Sequence, residues 1–358
     1  MNALTLVLLI FAIIGALDRI FGNRLGLGYE FECGFELMGA MSLSMIGMIV
    51  LAPAIGAWMT PLFDGFYNLF KIDPSIIPAS LLANDMGGAA LSTAIAKDTA
   101  VGNFNAFIVS AMMGVIISFT IPFSAGIVKK EQHKELFLGF LCAIVTIPLG
   151  CFAAGFFCGL TFIQILLDLL PLILISAIIV IGLIFAPSVC IKAFSVLSFI
   201  MKALITVGLI IGIISFLTGN PIFASLDSLE NATMVCMNAA ITLAGAFPLM
   251  FVVGKILKKP SDYLGKKLGI NSTSALALIP TLVTNSATFG MMRDMDKKGV
   301  VLNAAFAASA AFVFGSHLGF TMAINDDYIV PMMIAKFVSG FSALFIAMIV
   351  YKPDKASE

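Results

Sequence analysis

Charge is what this sequence has least of. Asp, Glu, Lys and Arg make up 11% of its 358 residues, against about a quarter in soluble domains. With 60% of residues hydrophobic and a mean hydropathy of +1.09, that scarcity excludes an ordinary soluble domain. It points to an all-α polytopic membrane protein. Net charge is zero and Lys and Arg are confined to short loops, so nucleic acid is not an expected partner. The six cysteines show no CxxC or Cys/His spacing, which excludes a zinc or redox motif; within apolar runs Cys is a small hydrophobe. There is no P-loop, no GxGxxG in a fold context and no HExxH, so no cofactor or metal is expected. No polar tail exceeds a few residues. The first segment lacks a basic n-region and a small-residue cleavage site, and reads as a retained span.

What is present is a series of apolar runs. Spans need about 20 such residues, and nine segments qualify: roughly 2–21, 36–58, 103–128, 136–160, 165–187, 197–219, 232–257, 300–325 and 329–351. Two more, about 74–96 and 274–292, are interrupted by Pro, Asn, Asp or Gly. Backbone that leaves the helix is tolerated in a membrane only when buried in protein or lining a cavity. Both stretches are therefore expected to be re-entrant or broken helices.

Loop charge orients the chain. Basic residues gather at Lys129, Lys130 and Lys134, at Lys255, Lys258, Lys259, Lys266 and Lys267, at Arg293, Lys297 and Lys298, and at Lys352 and Lys355. The connections near 160–165, 220–231 and 325–328 contain neither Lys nor Arg. The positive-inside rule assigns the basic set to the cytoplasm. Nine crossings, N-terminus outside and C-terminus inside, satisfy these loops if each interrupted stretch returns to its own side. Residues 352–358 are then a cytoplasmic tail. Lys71 and Lys97 lie outside, against the rule.

A repeat fits the same arrangement. NAFIVSA at Asn105–Ala111 and NAAFAASA at Asn303–Ala310 follow their interrupted stretches by similar intervals, and Ile72–Asp73 and Ile270–Asn271 precede them. The expected halves are 1–160 and 197–351, each with two spans, a dip and two spans. Residues 161–196 supply a linking span that inverts the second half. Inverted repeats with discontinuous helices meeting near the midplane are the architecture of secondary transporters.

Candidate site residues lie at the interruptions. An intramembrane carboxylate is by default a functional-site candidate, and Asp85 sits between apolar flanks in SLLANDMGGAAL (Ser80–Leu91). It reads as the counter-charge for a cationic substrate or coupling ion, with Asn84 adding an amide oxygen, or as a cap at a helix break. Gly87 and Gly88 let the backbone turn there. Asn285, Thr284, Ser286 and Thr288 in the second stretch offer neutral hydrogen bonds, or else cap it, with Gly290 as its break. His317 within GSHLG is a substrate contact or proton relay, or a helix–helix donor; Ser316 beside it is no nucleophile–base partner, since helix neighbours point about 100° apart. Lys336 is too deep to snorkel freely and is expected to pair with a carboxylate such as Asp85 or to face a wet vestibule. Glu30, Glu32 and Glu36 form an acidic loop before the second span, either simply solvated or a vestibule attracting cations. Small residues such as Gly39, Gly47, Gly155, Gly159, Gly208 and Gly212 suit close helix packing. Lys202, Asp18 and Asp168 lie nearer span ends and read as anchors or caps.

These residues carry a resemblance. FECGF (31–35), LLANDMGG (81–88), LAGAFPLMF (243–251), TLVTNSATFGMMRDMDKKG (281–299) and NAAFAASAAFVFGSHLGF (303–320) closely resemble the ethanolamine-utilisation permease family, EutH, almost end to end. The resemblance implies a carrier of ethanolamine across the bacterial cytoplasmic membrane, either facilitated or coupled to protons or sodium, and leaves a homo-oligomer open. Ethanolamine, a small ammonium with one hydroxyl, suits a single carboxylate plus neutral donors and acceptors. Asp85 would take the ammonium, and Asn285, Thr284 and Ser286, or His317, the alcohol. The alternative is a channel or carrier for ammonium or other small amines. An intramembrane aspartyl protease would need a second acid where the second half offers Asn285, which argues against an enzyme.

Overall fold

The computed structural model describes residues 3–352, without the side chains of 262 and 264. The expected span start at Asn2 and the tail beyond Lys352 lie outside the described residues. The chain is helical throughout, with no strand among the described residues. Helix α1 (Ala3–Ile20) leads to α2 (Leu27–Phe70), whose 44 residues extend about 66 Å at 1.5 Å per residue. Pro53 and Pro61 sit inside α2. Helices α3 (Ile76–Leu81) and α4 (Gly88–Ile95) are the arms of the first interrupted stretch. The next crossing joins α5 (Thr99–Phe104), wide π turns over Asn105–Gly114 and Ile116–Thr120, and α6 (Ile121–Ile127). Then come α7 (His133–Gly155), α8 (Phe162–Phe185), α9 (Pro187–Thr218) and α10 (Leu229–Leu268). The second interrupted stretch is α11 (Ser272–Thr281) and α12 (Asn285–Met291), followed by α13 (Lys297–Ala310), α14 (Ser316–Ile324) and α15 (Ile329–Val350).

Among the described residues, eight helical stretches are long and apolar enough to cross a membrane. The ninth expected span, 300–325, is reached by two helices instead. After α13 the chain turns extended at Ala311, takes a left-handed conformation at Phe312 (φ 66°) and restarts as α14 after Gly315. Phe314 N–H donates to the carbonyl of Leu282 at 2.8 Å, so this break is hydrogen-bonded to the break between α11 and α12. Positive φ at a bulky residue is costly and persists only where its surroundings enforce it; here buried contacts on both sides do so.

Small residues set the closest packing. A Cβ at Gly34 would overlap the α10 backbone at Ala244, and one at Gly47 would overlap the carbonyl of Ile205 on α9. Gly208 meets the Gly47 carbonyl in return. Gly39 faces open space, and Gly159 instead ends the helix after Cys158 at φ 73°.

Side-chain contacts sort the connections into two sets at opposite ends of the bundle. In one, Lys255 Nζ reaches the carbonyl of Leu25, Gln132 Nε2 that of Met292, and Lys298 Nζ that of Leu268. In the other, Trp58 packs edge-on against Phe223, Lys97 pairs with Asp64, and Phe107 lies against Tyr328. The base of α3 belongs to the second set and the base of α11 to the first. Both bases use related residues 198 positions apart: 73 and 271, 98 and 296, 105 and 303. Asp73 accepts from the N–H groups of Ser75, Lys97 and Asp98. Asn271 accepts from Ser274 and donates its N–H to Asp296. Asp98 and Asp296 cap α5 and α13, and Asn105 and Asn303 reach back to Ser75 and Ser274.

Candidate functional site

Why α3 stops at Leu81 is written in its last residues. Leu82 and Ala83 are extended, Asn84–Met86 makes one tight turn, and Gly87 adopts φ 101°. A side chain at Gly87 would also strike Met48, so glycine is required there on two counts. The freed backbone groups find partners: Ala83 N–H donates to Ser118 Oγ at 3.0 Å, and Ala83 C=O accepts from Met86 and Gly88. Gly88 and Gly114 let the Leu82 carbonyl approach closely. This turn carries Asn84 inward and Asp85 toward an open space. Asn84 is fully buried, its Oδ1 accepting from the Asp85 N–H at 2.9 Å and its Nδ2 without a partner.

That open space is a cavity of about 900 Å³. Asp85 stands at its deep end with Ser316 and His317 from α14, and Thr284 and Ser286 line it from the second break. Ser316 faces the Asp85 carboxylate across this space, and His317 Nε2 lies 3.9 Å from Asp85 Oδ1. The imidazole is buried and stacks on Phe312 with centroids 5.0 Å apart, while its Nδ1 has no partner. Phe119 and Phe312 meet edge to face at 6.0 Å and add aromatic wall. Toward the other end the lining includes Glu30, Lys255 and Lys258, at the end of the bundle where Lys255 holds Leu25. The chamber thus has apolar and aromatic walls, one carboxylate at depth, and hydroxyls and an imidazole around it. Such a chamber suits a small cation bearing a hydrogen-bonding group.

Other expected site residues stand elsewhere. Asn285 is buried behind the wall, with Nδ2 on Thr120 Oγ1 at 3.1 Å and Oδ1 unpartnered. Thr288 pairs with Thr281 and the Ala277 carbonyl, inside the hairpin. Gly290 is not the break. It lies within α12 in open space, and the interruption falls at Leu282–Thr284, after Pro280, where Thr284 caps α12. Lys336 is buried on α15, but the expected ion pair with Asp85 is not what its hydrogen bonds make. Nζ donates to the carbonyls of Ala111 at 2.9 Å and Ala311 at 2.8 Å, joining the π turns of the first half to the break after α13. Glu32 does not face the cavity; it pairs with Arg19 at 2.5 Å, near the surface. The expected acidic loop is already the first turns of α2, where residues two apart diverge by about 200°. Glu30 therefore lines the cavity when Glu32 cannot. Asp18 does cap, accepting from the N–H groups of Leu25, Leu27 and Gly28. Ser316 is the residue sequence reasoning undervalued. Its signal was the pair of glycines flanking Ser–His, which marks a helix start as readily as a packing contact.

A family profile described as "Ethanolamine utilisation protein, EutH" matches residues 1–350. The chain belongs to that family. A relative from Listeria monocytogenes named "Probable ethanolamine permease EutH" is 41% identical over 355 residues, covering 98% of this chain and 95% of its own. The protein of that name from Salmonella typhimurium is 34% identical, covering 98% and 96%. "Uncharacterized protein YxeR" of Bacillus subtilis is 36% identical, covering 96% and 92%. No solved structure matches the chain. As a EutH-family protein with eight candidate spans among the described residues, the chain is a multi-pass integral protein of the bacterial cytoplasmic membrane, and its EutH relatives are named as probable permeases, not as enzymes.

Proposed function

We propose that this chain is a permease for ethanolamine, with the protonated amine paired to Asp85. The observation that carries the reading is the Asp85 carboxylate in a largely apolar chamber, with Ser316 beside it and His317 Nε2 3.9 Å away. With little water to compete, an ammonium–carboxylate contact there is far stronger than at a surface. The hydroxyl goes to Thr284, Ser286, Ser316 or His317, all of which line the same space. The names of the EutH relatives supply the substrate; the cavity chemistry supplies the reason it fits.

The two halves, 1–160 and 197–351, act as inverted repeats around this site, with 161–196 as the linking span. The 198-residue spacing of the two bases, and their position at opposite ends of the bundle, support that reading. By the positive-inside rule the end holding Lys255 and Lys258 is cytoplasmic, so the chamber as described is open inward. Rocking of one half against the other would expose Asp85 to the outside.

Counterflow of labelled ethanolamine into proteoliposomes preloaded with unlabelled ethanolamine tests this. Saturable counterflow that Asp85→Asn abolishes is expected. Flux that neither saturates nor shows counterflow would favour a channel for ammonium or small amines, and unchanged counterflow in Asp85→Asn would remove Asp85 from the site.

A further inference from the structure

A second buried acid lies away from the cavity. Asp168 is on α8, six residues beyond its first residue, or about 9 Å along the helix, and is only 3% exposed. Asn105, fully buried on the neighbouring π turns, donates one amide hydrogen to Asp168 Oδ1 at 3.0 Å and the other to Ser75 Oγ at 2.9 Å. Two oxygens are left without partners, Asp168 Oδ2 and Asn105 Oδ1. Both are acceptors, and they are the remaining halves of the two groups already joined by one bond. The titratable groups facing Asp168 are Asp73, from the base of α3, and Cys151, from α7. Asp73 is itself fully engaged as a carboxylate, taking the Ser75 N–H and hydroxyl and the Lys97 and Asp98 N–H groups. Nothing comparable is available to Asp168.

We propose that Asp168 and Asn105 form a proton-binding site that locks the base of the first interrupted stretch. A proton on Oδ2 turns that oxygen into a donor and lets it bond Asn105 Oδ1. The acid and the amide then share two parallel hydrogen bonds, and one proton satisfies both orphaned atoms. Because Asn105 also holds Ser75, the proton and the seat of α3 are linked through a single amide. The second half has no such site: Asn303 bonds only the carbonyls of Ser274 and Gly299, and α8, in the linking span, has no counterpart there. The inference does not depend on which solute is carried.

Infrared spectroscopy of the full chain in lipid nanodiscs at neutral pH tests it. The wild-type spectrum is expected to contain the C=O stretch of a protonated, hydrogen-bonded carboxylic acid that Asp168→Asn removes and Asp168→Glu shifts. A band unchanged in both variants would overturn the proposal. So would a wild-type minus Asp168→Asn difference showing only carboxylate, including one that responds to sodium. Asp168→Asn should fold, because its amide can reproduce both bonds. Raising the pH until the acid band is lost should lower the protection of amides across residues 73–81, after correction for the intrinsic pH dependence of exchange, in wild type and leave that protection unchanged in Asp168→Asn. An equal change of protection in the two proteins would show that the proton does not lock this segment. Absence of ethanolamine counterflow in wild type would remove the transport reading and leave the acid band as predicted here.

Discussion

At the seat of α3 and at the seat of α11 the same chemistry recurs. An Asp or Asn receives backbone N–H groups, a second Asp caps the following helix, and an Asn reaches back to a Ser. Further in, the two stretches part. The first break places Asn84 inward, Asp85 in the chamber and glycine at a left-handed turn. The second contributes Thr284 and Ser286 to the chamber and no acid. What the seats share answers to the needs of helix ends, whose free N–H groups must find acceptors. The breaks meet at the chamber, where two copies of one acid would repel each other.

The largest effect should come from removing that asymmetry. Asp85→Asn is expected to weaken ethanolamine binding by at least about 30-fold, since truncating one partner of a buried charge pair costs about 2–5 kcal/mol. Isothermal calorimetry on the purified protein reads it, and an unchanged affinity would mean that the two breaks are functionally alike. Gly114→Ala and Gly315→Ala probe what the breaks share. Each new Cβ would overlap a break carbonyl, of Leu82 and of Val283 respectively. Both should lower stability by about 1–3 kcal/mol, as overpacking does. Thermal unfolding that moves for one and not the other would sharpen the contrast.

Lys336→Met strips the buried donor from Ala111 and Ala311 at once. Each orphaned acceptor costs about 1–3 kcal/mol, and hydrogen exchange should rise around both residues; a rise in one half alone would mean that the lysine serves only that half. The smallest effect is expected from Ser286→Ala, which removes one neutral hydroxyl of the second break. A neutral hydrogen bond contributes about 0.5–1.5 kcal/mol, so affinity should fall about 2- to 10-fold. A loss as large as that of Asp85→Asn would overturn the division of labour between the breaks.

Much of the fold was legible without coordinates. Continuous apolar runs sufficed for eight spans, because hydrocarbon accepts few alternatives to a helix. The first interruption was legible because Asp and paired glycines are expensive there. The break after α13 was not, since Ala311 and Phe312 are ordinary apolar residues and the conformation is imposed by Lys336 and Leu282 from other segments. The π turns over Asn105–Gly114 were hidden for the same reason. Gly290 misled because glycine signals permission to break, whereas Thr284 and Pro280 made the break. Glu32 and Glu30 could not be separated until helix α2 was seen to begin at Leu27.

The sequence by itself determined that the chain spans a membrane, that two stretches are interrupted, and that Asp85 is the acid to notice. Those follow from the transfer energetics of single residues and from helical period, which are local. Which groups share the chamber with Asp85, and that Lys336 ties the two halves through carbonyls, were decided only by tertiary structure. Each depends on residues a hundred or more positions apart meeting at hydrogen-bond or packing distance, and no local pattern specifies such meetings.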